Sequence, residues 1–392
     1  MDQENGPLDN RDLLEWLFAH EQIALRRSPW LQADAPPLPT ALPWDRIEGM
    51  LLGLAIGDSL GNVSEGMTPD QRRSHWGEIR DYLPNPHAGG RRVGLPSDDT
   101  QLAFWTLEQL LQDGGLQPER LAERFSRELI FGLGGTVRTF LRNRQLGAPW
   151  YEAGPRPNAA GNGALMRIAP VLVPHLQSGT AALWADTAIT AMITHNDPAS
   201  TAACLALVAL LWEVLRREVA PAPHWWLETF CGTMRELEGD TTCYPNRTPH
   251  FPYAGPVWRF AEEQVTRALE QRLPVQIACD QWYSGAYLLE TVPSVLYLLC
   301  RYGHDPEEAL VRAVNDTRDN DTIAAIVGAV VGALHGAAAL PPCWRGRLLG
   351  RTGADDDGAV FRLIESARRR AFAKSLPYKA PLCRETAARL LT

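Results

Sequence analysis

Three aspartates followed by a long uncharged segment form the sequence feature that most restricts how this chain can fold. Asp316, Asp319 and Asp321 fall within six residues, and the eighteen residues from Ile323 to Leu340 then contain no Asp, Glu, Lys or Arg. A segment this apolar has to be removed from water. The sequence therefore predicts a buried helix that starts at an acidic cluster.

Glycines line one face of this predicted helix, because Gly328, Gly332 and Gly336 recur every four residues. Such a stripe lets a neighbouring helix approach closely, as in a helical bundle. The segment also has the minimum length for spanning a membrane. However, it is rich in Gly and Ala, contains His335 and has no second candidate span to pair with. These properties favour a central helix of a bundle, and no membrane contact is expected.

Apolar residues recur with helical spacing almost everywhere from Asp45 onward, whereas the alternating pattern of strands is nearly absent. This periodicity predicts an all-α domain. Glycine-bearing loops separate the helical segments, and loops of such length are often functional. Long loops of this kind cover residues 81–97, 147–163 and 239–256.

Residues 1–44 are predicted to form an arm on a larger domain at 45–392. A short helix is expected from about Asn10 to Arg27, and repeated prolines beyond it exclude further regular structure. The arm is acidic and its helix carries more apolar surface than it can shield alone. The sequence leaves open whether that surface docks on its own domain or on a partner protein.

Composition argues against several functional classes. The net charge of -8 and the pI near 5.7 provide no broad basic surface for nucleic acid. The seven cysteines never form a CxxC pair, which argues against a zinc knuckle or a disulfide scaffold and for reduced thiols. The N-terminus has acidic residues where a signal peptide would be basic. A cytoplasmic location is the expectation.

A second acidic cluster, in "PSDDTQLAFWTLEQLL", places Ser97, Asp98 and Asp99 directly before another amphipathic helix. N-capping is one explanation, since Ser and Asp satisfy free amides at helix starts. Cation binding is the other, because two carboxylates about 4 Å apart repel by roughly 4 kcal/mol at an effective dielectric near 20. Oxygen-only ligands would select Mg²⁺ or Mn²⁺. The residues alone leave both explanations open.

Further motifs lie between the two clusters or just before them. "GMLLGLAIGDSLGNVSEG" is a glycine-bearing helix that carries Asp58 and delivers Glu65 just past its end. "FGLGGTVRTFL", "NAAGNGALMRIAP" and "THNDPAS" contain glycine turns, which can hold phosphate through free amides, and His195. Taken singly, such a turn is more often only a turn, and such a histidine is more often a capping or core residue.

Taken together, these motifs closely resemble the ADP-ribosylglycohydrolase family, of the dinitrogenase-reductase-activating type. The match runs in order from about Ile47 to Leu340 and includes "GDSLG", "SDDTQ", "GNGALMRIAP", "THNDP", "SGAYLLETVPS" and "DNDTIAAIVGAVVGA". The resemblance implies a compact, orthogonal all-α bundle around a central binuclear metal site. It also implies a hydrolase that cuts the C1'' glycosidic bond of ADP-ribose on a protein side chain, most often arginine.

The resemblance assigns roles to particular residues. Two Mg²⁺ or Mn²⁺ ions would be held by Ser97, Asp98, Asp99, Asp319, Asp321 and Thr322. Catalysis would rest on Glu65, Asp98 and Asp319, with Glu65 as general base or metal-linked carboxylate. ADP-ribose would be cradled by Gly134, Gly135, Asn162, Gly163 and His195. Asp316 lies outside the family pattern and is expected in a turn or behind the ligands.

Three other functions compete with this interpretation. The arm could neutralise an ADP-ribosyltransferase toxin by occlusion, as in an immunity protein, with or without hydrolysis. The chain could be a non-enzymatic member like the related lens crystallins, although all the acidic ligands are present. It could also be a metal-dependent phosphoesterase. The substrate expected under the first interpretation is an ADP-ribosylated protein.

Overall fold

Helices make up nearly all the regular structure of the protein in a computed structural model that describes residues 9–156, 160–245, 247, 252–356 and 358–372. The α-helices are α1 (Asn10–Ala19), α2 (Trp44–Gly61), α3 (Pro69–Trp76), α4 (Asp98–Asp113), α5 (Pro118–Arg127), α6 (Gly135–Gln145), α7 (Trp150–Ala153), α8 (Ala182–Met192), α9 (Pro198–Leu215), α10 (Pro223–Leu237), α11 (Val257–Glu270), α12 (Val275–Gln281), α13 (Leu288–Tyr302), α14 (Pro306–Asp316), α15 (Asn320–His335), α16 (Pro342–Arg347) and α17 (Ala359–Phe372). The strands β1 (Pro84–Asn85) and β2 (Arg91–Arg92) form one antiparallel pair. The all-α prediction is confirmed.

Helices α2 and α15 form the most extensive contact between any two helices of the described chain, and glycine makes it possible. A Cβ atom added to Gly53 would lie 2.1 Å from the carbonyl oxygen of Gly328, and one added to Gly328 would lie 2.1 Å from that of Gly53. A Cβ atom added to Gly49 would likewise lie 2.3 Å from the carbonyl oxygen of Gly332. Real Cβ atoms cannot approach backbone so closely, so only glycine permits this spacing.

Helix α15 occupies the centre of the protein, as its apolar sequence predicts. Every residue from Asn320 to Leu334 is buried, and α15 packs on α2, α9, α13 and α14. The prediction that no other candidate span exists is wrong, because one described helix, Pro198–Leu215 (α9), is long and apolar enough to cross a membrane; 89% of that window is buried inside the protein. Because their apolar side chains are already covered, both helices serve as core helices.

The N-terminal arm is docked on its own domain. Helix α1 packs on α8 and buries Leu13, Leu14 and Leu17 almost completely. The side-chain amide of Asn10 donates a 2.5 Å hydrogen bond to Asp186 of α8. The apolar surface that the sequence left without a partner is therefore covered by the rest of the chain. Residues 1–8 of the arm lie outside the described residues.

The arm helix is shorter than the periodicity predicts, because α1 ends at Ala19 and not near Arg27. Glu21 has a φ of 55°, a left-handed conformation that a helix cannot continue through. The following segment, residues 22–26, is fixed instead by long-range contacts. Asn196 accepts a hydrogen bond from Ala24 N at 2.7 Å, and its own amide donates to Gln22 O at 2.8 Å.

Replacing Gly53 with alanine tests the glycine contact. Because the added methyl would meet the Gly328 backbone, we expect Gly53→Ala to lower the free energy of unfolding by about 3 kcal/mol or more, at the upper end of overpacking costs. The matched control is Gly232→Ala in α10, where an added Cβ meets nothing within 4 Å. That change should raise stability by about 0.5 to 1 kcal/mol. The free energy of unfolding of each variant is measured in denaturant. If Gly53→Ala and Gly232→Ala change it equally, the α2–α15 contact does not require glycine.

Candidate active site at the ends of three helices

Acidic side chains from three helix ends converge at one place in the fold. Carboxylate oxygens of Asp58 from α2, Asp99 from α4 and Asp321 from α15 lie within 4.8 Å of one another. A second group, formed by Glu65, Asp319 and Asp321, has the same compactness. Asp321 belongs to both groups. The two acidic clusters of the sequence are therefore brought together, with Asp321 between two adjacent positions that could each hold a cation.

Close contact between α2 and α15 extends up to this site. A Cβ on Gly61, the last residue of α2, would lie 2.5 Å from both the Cα and the amide nitrogen of Asp321. The chain just beyond Gly61 carries Glu65, which is exposed at the rim of the site, whereas Asp99 and Asp321 are buried. The glycine contact thus sets how close Glu65 can come to the buried acids.

The acids at the centre of the site form no ion pairs with the described residues. In the described chain, Asp99, Asp319 and Asp321 form no ion pair with arginine or lysine, and Asp99 Oδ1 is buried without a hydrogen-bond partner. Burial and the neighbouring carboxylates raise the pKa of Asp99 and of Asp321 well above its usual value. Burial first, then neighbouring charges, raises the pKa of Asp98 to about 7. Burial raises the pKa of Asp319 to about 6, although a hydrogen bond from Asn162 opposes the shift. A donor set of this kind, with oxygen atoms only, fits a hard divalent cation.

Asp58 supplies the capping contacts at the first cluster. Its carboxylate accepts hydrogen bonds from the backbone amides of Ser97 and Thr100 and from both hydroxyls. It also accepts one from Asn62. Asp58 therefore caps α4 from outside that helix, and Ser97, the N-cap residue, makes no side-chain capping bond. Because the Ser97 hydroxyl donates its proton to Asp58, its lone pairs remain free for a cation.

Some predicted ligands are not members of either cluster of three acidic residues. Asp98 lies outside both, and its Oδ1 is 2.3 Å from where Gly132 would carry a Cβ atom. Thr322 is buried on the first turn of α15, and its hydroxyl is hydrogen-bonded to Asp319. Asp316 is set apart by ion pairs with Arg73 and Arg312, both at 3.3 Å. Asp98 therefore occupies the edge of the site next to the loop before α6.

A buried arginine that the sequence gave no reason to select holds two segments of the site together. Arg72 of α3 is fully buried and donates hydrogen bonds to Ser64 Oγ at 3.0 Å and to the carbonyls of Asn315 and Thr317 at 3.2 and 3.0 Å. Ser64 precedes Glu65, and Thr317 precedes the Asp319 segment. Arg72 thus fixes the distance between these segments. Its spacing in α3 is that of an ordinary amphipathic helix, so no local signal marks it.

The glycine loop predicted to contact ADP-ribose reaches the acidic site through Asn162. The Asn162 side-chain amide donates to Asp319 Oδ2 at 2.5 Å and to the Thr291 hydroxyl at 3.0 Å. Beside it, a Cβ on Gly163 would lie 2.9 Å from His195 Cε1. The loop therefore lies between the carboxylates and His195.

The start of α6 faces the other side of this loop. Gly134 and Gly135 adjoin open space, where an added Cβ would meet no atom within 4 Å. The Thr136 hydroxyl lies 3.7 Å from the position of a Cβ on Gly161. Backbone amides at a helix start can bind an anion. The predicted glycines thus border a space shared with the Gly161–Gly163 loop.

A cleft of about 690 Å³ adjoins this loop. Tyr287, which forms a β-bridge with Gly161, and Ala160 line its inner side, and Ile23 and Leu25 of the arm line another side. The only sequence signal for Tyr287 was its place in "SGAYLLETVPS", where it precedes the α13 helix.

Comparisons with known proteins agree on one family. A family model described as ADP-ribosylglycohydrolase matches residues 39–374. An ADP-ribosyl-[dinitrogen reductase] glycohydrolase of Rhodospirillum rubrum is 26% identical over 78% of this chain and 90% of its own length. ADP-ribosylarginine hydrolase Tri1 of Pseudomonas putida is 25% identical over 80% of this chain and 77% of its own. A solved structure titled ADP-ribosylglycohydrolase-related protein complex aligns with a TM-score of 0.60 at 27% identity, covering 84% of this chain and 99% of that one.

The raised carboxylate pKa values predict how a divalent cation should affect stability. Between about pH 4 and pH 7 the folded metal-free protein holds protons that the unfolded chain has released, so these groups make it less stable as pH rises. A cation binds the deprotonated carboxylates and offsets this loss of folding stability at higher pH. We expect Mg²⁺, added after EDTA treatment, to raise the Tm more at pH 7.5 than at pH 5.5. Asp321→Asn should reduce this difference, and an equal or larger rise at pH 5.5 would contradict it.

Proposed function

Because the chain belongs to the ADP-ribosylglycohydrolase family, we propose that it is a divalent-cation-dependent hydrolase that removes ADP-ribose from modified arginine side chains of proteins. The observation that carries this proposal is the pair of carboxylate groups that share Asp321 and lie against the Asn162 loop. The names of the relatives from Rhodospirillum rubrum and Pseudomonas putida support the reaction, and the second supports the arginine linkage.

Two cations are proposed, one at each of the two clusters of acidic residues that share Asp321. Asp99, Asp319 and Asp321 would supply charged ligands, and the hydroxyls of Ser97 and Thr322 neutral ones. Bound there, the ions would orient the ribose hydroxyls and a water and offset charge as the glycosidic bond breaks. The donor set is consistent with Mg²⁺ or Mn²⁺. Asn162 would hold the Asp319 carboxylate in a fixed orientation through its 2.5 Å hydrogen bond.

Glu65 is the proposed general base. Its carboxylate is within 4.8 Å of those of Asp319 and Asp321, yet it stands on the exposed rim, where water has access. The oxygen of a water would bond to C1'' as the bond from C1'' to the guanidinium nitrogen breaks. The bonding electron pair would leave with that nitrogen, and Glu65 would take a proton from the water. Return of a proton to the departing guanidine would restore the guanidinium and the Glu65 carboxylate. The products are ADP-ribose and unmodified arginine.

The adenosine end of the substrate is proposed to enter the cleft beside Tyr287. This cleft begins at Ala160, two residues before Asn162, so the pyrophosphate would span the glycine loop between the cleft and the carboxylates. Tyr287 is partly exposed there and provides an aromatic face on which a base can stack. Ile23 and Leu25 add apolar surface, as is usual in nucleotide pockets.

An immunity role that works by inserting the arm into a transferase finds no support in residues 9–44. The apolar side of α1 is already buried on α8, so release of the arm would expose Leu13, Leu14 and Leu17 to water. Fully exposing each such side chain costs about 1.5 to 3 kcal/mol. Hydrolysis is therefore the function proposed, with an ADP-ribosylated protein as substrate.

A release assay with ADP-ribose linked to arginine, to serine and to acetate tests the function directly. We expect arginine-linked ADP-ribose to be released, EDTA to stop release, and Mg²⁺ or Mn²⁺ to restore it. Asp319→Asn and Asp321→Asn should each reduce turnover by at least about 100-fold, because each removes a charged ligand. Asp316→Asn is the matched control from the same acidic run and should stay within a few-fold of the unchanged protein. Near-normal turnover of Asp321→Asn, or release that EDTA does not affect, would exclude the proposal.

The role of Glu65 is tested with Glu65→Gln, which keeps the shape of the side chain and removes its basicity. We expect kcat to fall by about 10² to 10⁴-fold, as for loss of a general base, with little change in the Kd for ADP-ribose. Glu307→Gln, on the exposed surface of α14, is the control and should change neither constant. Weaker ADP-ribose binding with intact kcat would instead make Glu65 a residue that positions the ligand.

A further inference from the structure

Arg167 is an arginine buried without a counter-charge. Its side chain is fully buried in a short turn at Leu165–Arg167, and it forms no ion pair within the described chain. Its Nε and Nη1 atoms have no hydrogen-bond partner in the protein, and the guanidinium lies over the Phe125 ring at 4.8 Å. Burial of a charge in this way is costly, and an apolar residue would fill the same space at lower cost. The arginine therefore calls for an explanation other than packing.

The remaining nitrogen of Arg167, Nη2, is connected to His195 through the Thr194 hydroxyl. Arg167 Nη2 donates to the Thr190 carbonyl at 3.1 Å and to the Thr194 hydroxyl oxygen at 2.7 Å. The same hydroxyl lies 2.9 Å from His195 Nδ1. Because the Thr194 oxygen accepts from Arg167, its single proton is available to Nδ1, and no other acceptor for it is present among the described residues. The hydrogen-bond chain thus makes Nδ1 an acceptor.

This arrangement fixes the imidazole in one state. An imidazole that accepts at Nδ1 carries its proton on Nε2 when the ring is neutral. Burial, and then the charge of Arg167, lowers the pKa of His195 to about 3, so the ring is neutral at physiological pH. The ring of His195 is almost completely buried. Its tautomer is therefore set by the protein and not by exchange with solvent.

The protonated nitrogen faces the glycine loop. A Cβ on Gly163 would lie 3.1 Å from His195 Nε2, and one on Gly161 would lie 3.5 Å from it. Within the described chain Nε2 has no hydrogen-bond acceptor. An N–H group beside the loop without a protein acceptor can donate to a ligand oxygen there.

We propose that Thr194 is a positioning residue: held by Arg167, its hydroxyl keeps His195 as the neutral Nε2–H tautomer, which donates to an anionic oxygen of the substrate beside Gly161 and Gly163. The inference rests on the proposed function, because the anionic oxygens are those of the ADP-ribose pyrophosphate. The buried charge of Arg167 would add attraction for the same anion, since it is screened little by water. The opposite tautomer would turn a lone pair of Nε2 toward the phosphate and repel it.

Two substitutions of Thr194 separate this role from a structural one. Thr194→Val removes the hydroxyl, and Thr194→Ser keeps it. With the hydroxyl absent, Nδ1 loses its donor, so both tautomers become accessible. We expect nitrogen-15 NMR of the ligand-free protein to show His195 protonated at Nε2 in the unchanged protein and in Thr194→Ser, and mixed tautomers in Thr194→Val.

The binding experiment uses ADP-ribose and Mg²⁺ as separate probes. Thr194→Val should raise the Kd for ADP-ribose and the KM for the modified protein by about tenfold, the value of one hydrogen bond to a charged group. The kcat, the Kd for Mg²⁺ and the Tm should change little, and Thr194→Ser should restore ADP-ribose binding. A distorted site would weaken Mg²⁺ binding and lower the Tm as well, and that result would overturn the inference.

The test also separates this inference from the proposed function. If the unchanged protein carries its His195 proton on Nδ1, or if Thr194→Val shifts the tautomer without weakening ADP-ribose binding, the inference fails and the hydrolase assignment stands. If ADP-ribose does not bind the unchanged protein at all, the proposed function and the substrate role of His195 fail together, and the tautomer measurement still reports on the hydrogen-bond chain.

Discussion

Close backbone contact between α2 and α15 is the constraint on which the rest of the structure depends. Gly53 and Gly328 meet backbone to backbone in the middle of the pair, and Gly61 meets Asp321 at its end. At these glycines the core helices touch through backbone atoms, so no side chain that could change rotamer lies between them, up to the acidic site. The acids of α2 and α15 are consequently fixed by the same packing that fixes the centre of the protein, so the site has little freedom to widen.

The aspartates around this rigid centre differ in whether a neighbouring group compensates their charge. Asp316 is paired with two arginines and Asp58 is surrounded by hydrogen-bond donors, whereas Asp99, Asp319 and Asp321 receive no arginine or lysine ion pair within the described residues. Asp316, Asp319 and Asp321 lie within six residues of one another in sequence, yet only Asp316 of these three forms an ion pair with a described arginine. The carboxylates that support the fold are thus paired or hydrogen-bonded, whereas those at the centre of the candidate site have no ion pair in the described chain, and such a set can bind cations.

Sequence reasoning succeeded where the signal is local. The buried helix, its glycine face and the two acidic clusters are recorded in spacing and composition, because helix periodicity and charge repulsion act between near neighbours. It could not find Arg72, whose value lies in joining segments more than two hundred residues apart, or the capping role of Asp58 on another helix. The early end of α1 was missed for the same reason, since contacts from Asn196 decide the path of the chain there.

The arm lines the cleft with Ile23 and Leu25, although the family match begins only at residue 39. One wall of the candidate nucleotide pocket is thus built from sequence that lies outside the shared domain. Variation in that wall leaves the carboxylate-bearing helices untouched, so the arm is a place where ligand choice can change while the candidate catalytic residues stay the same. A fragment cut at the family boundary would keep the carboxylates but open the pocket to solvent on the arm side.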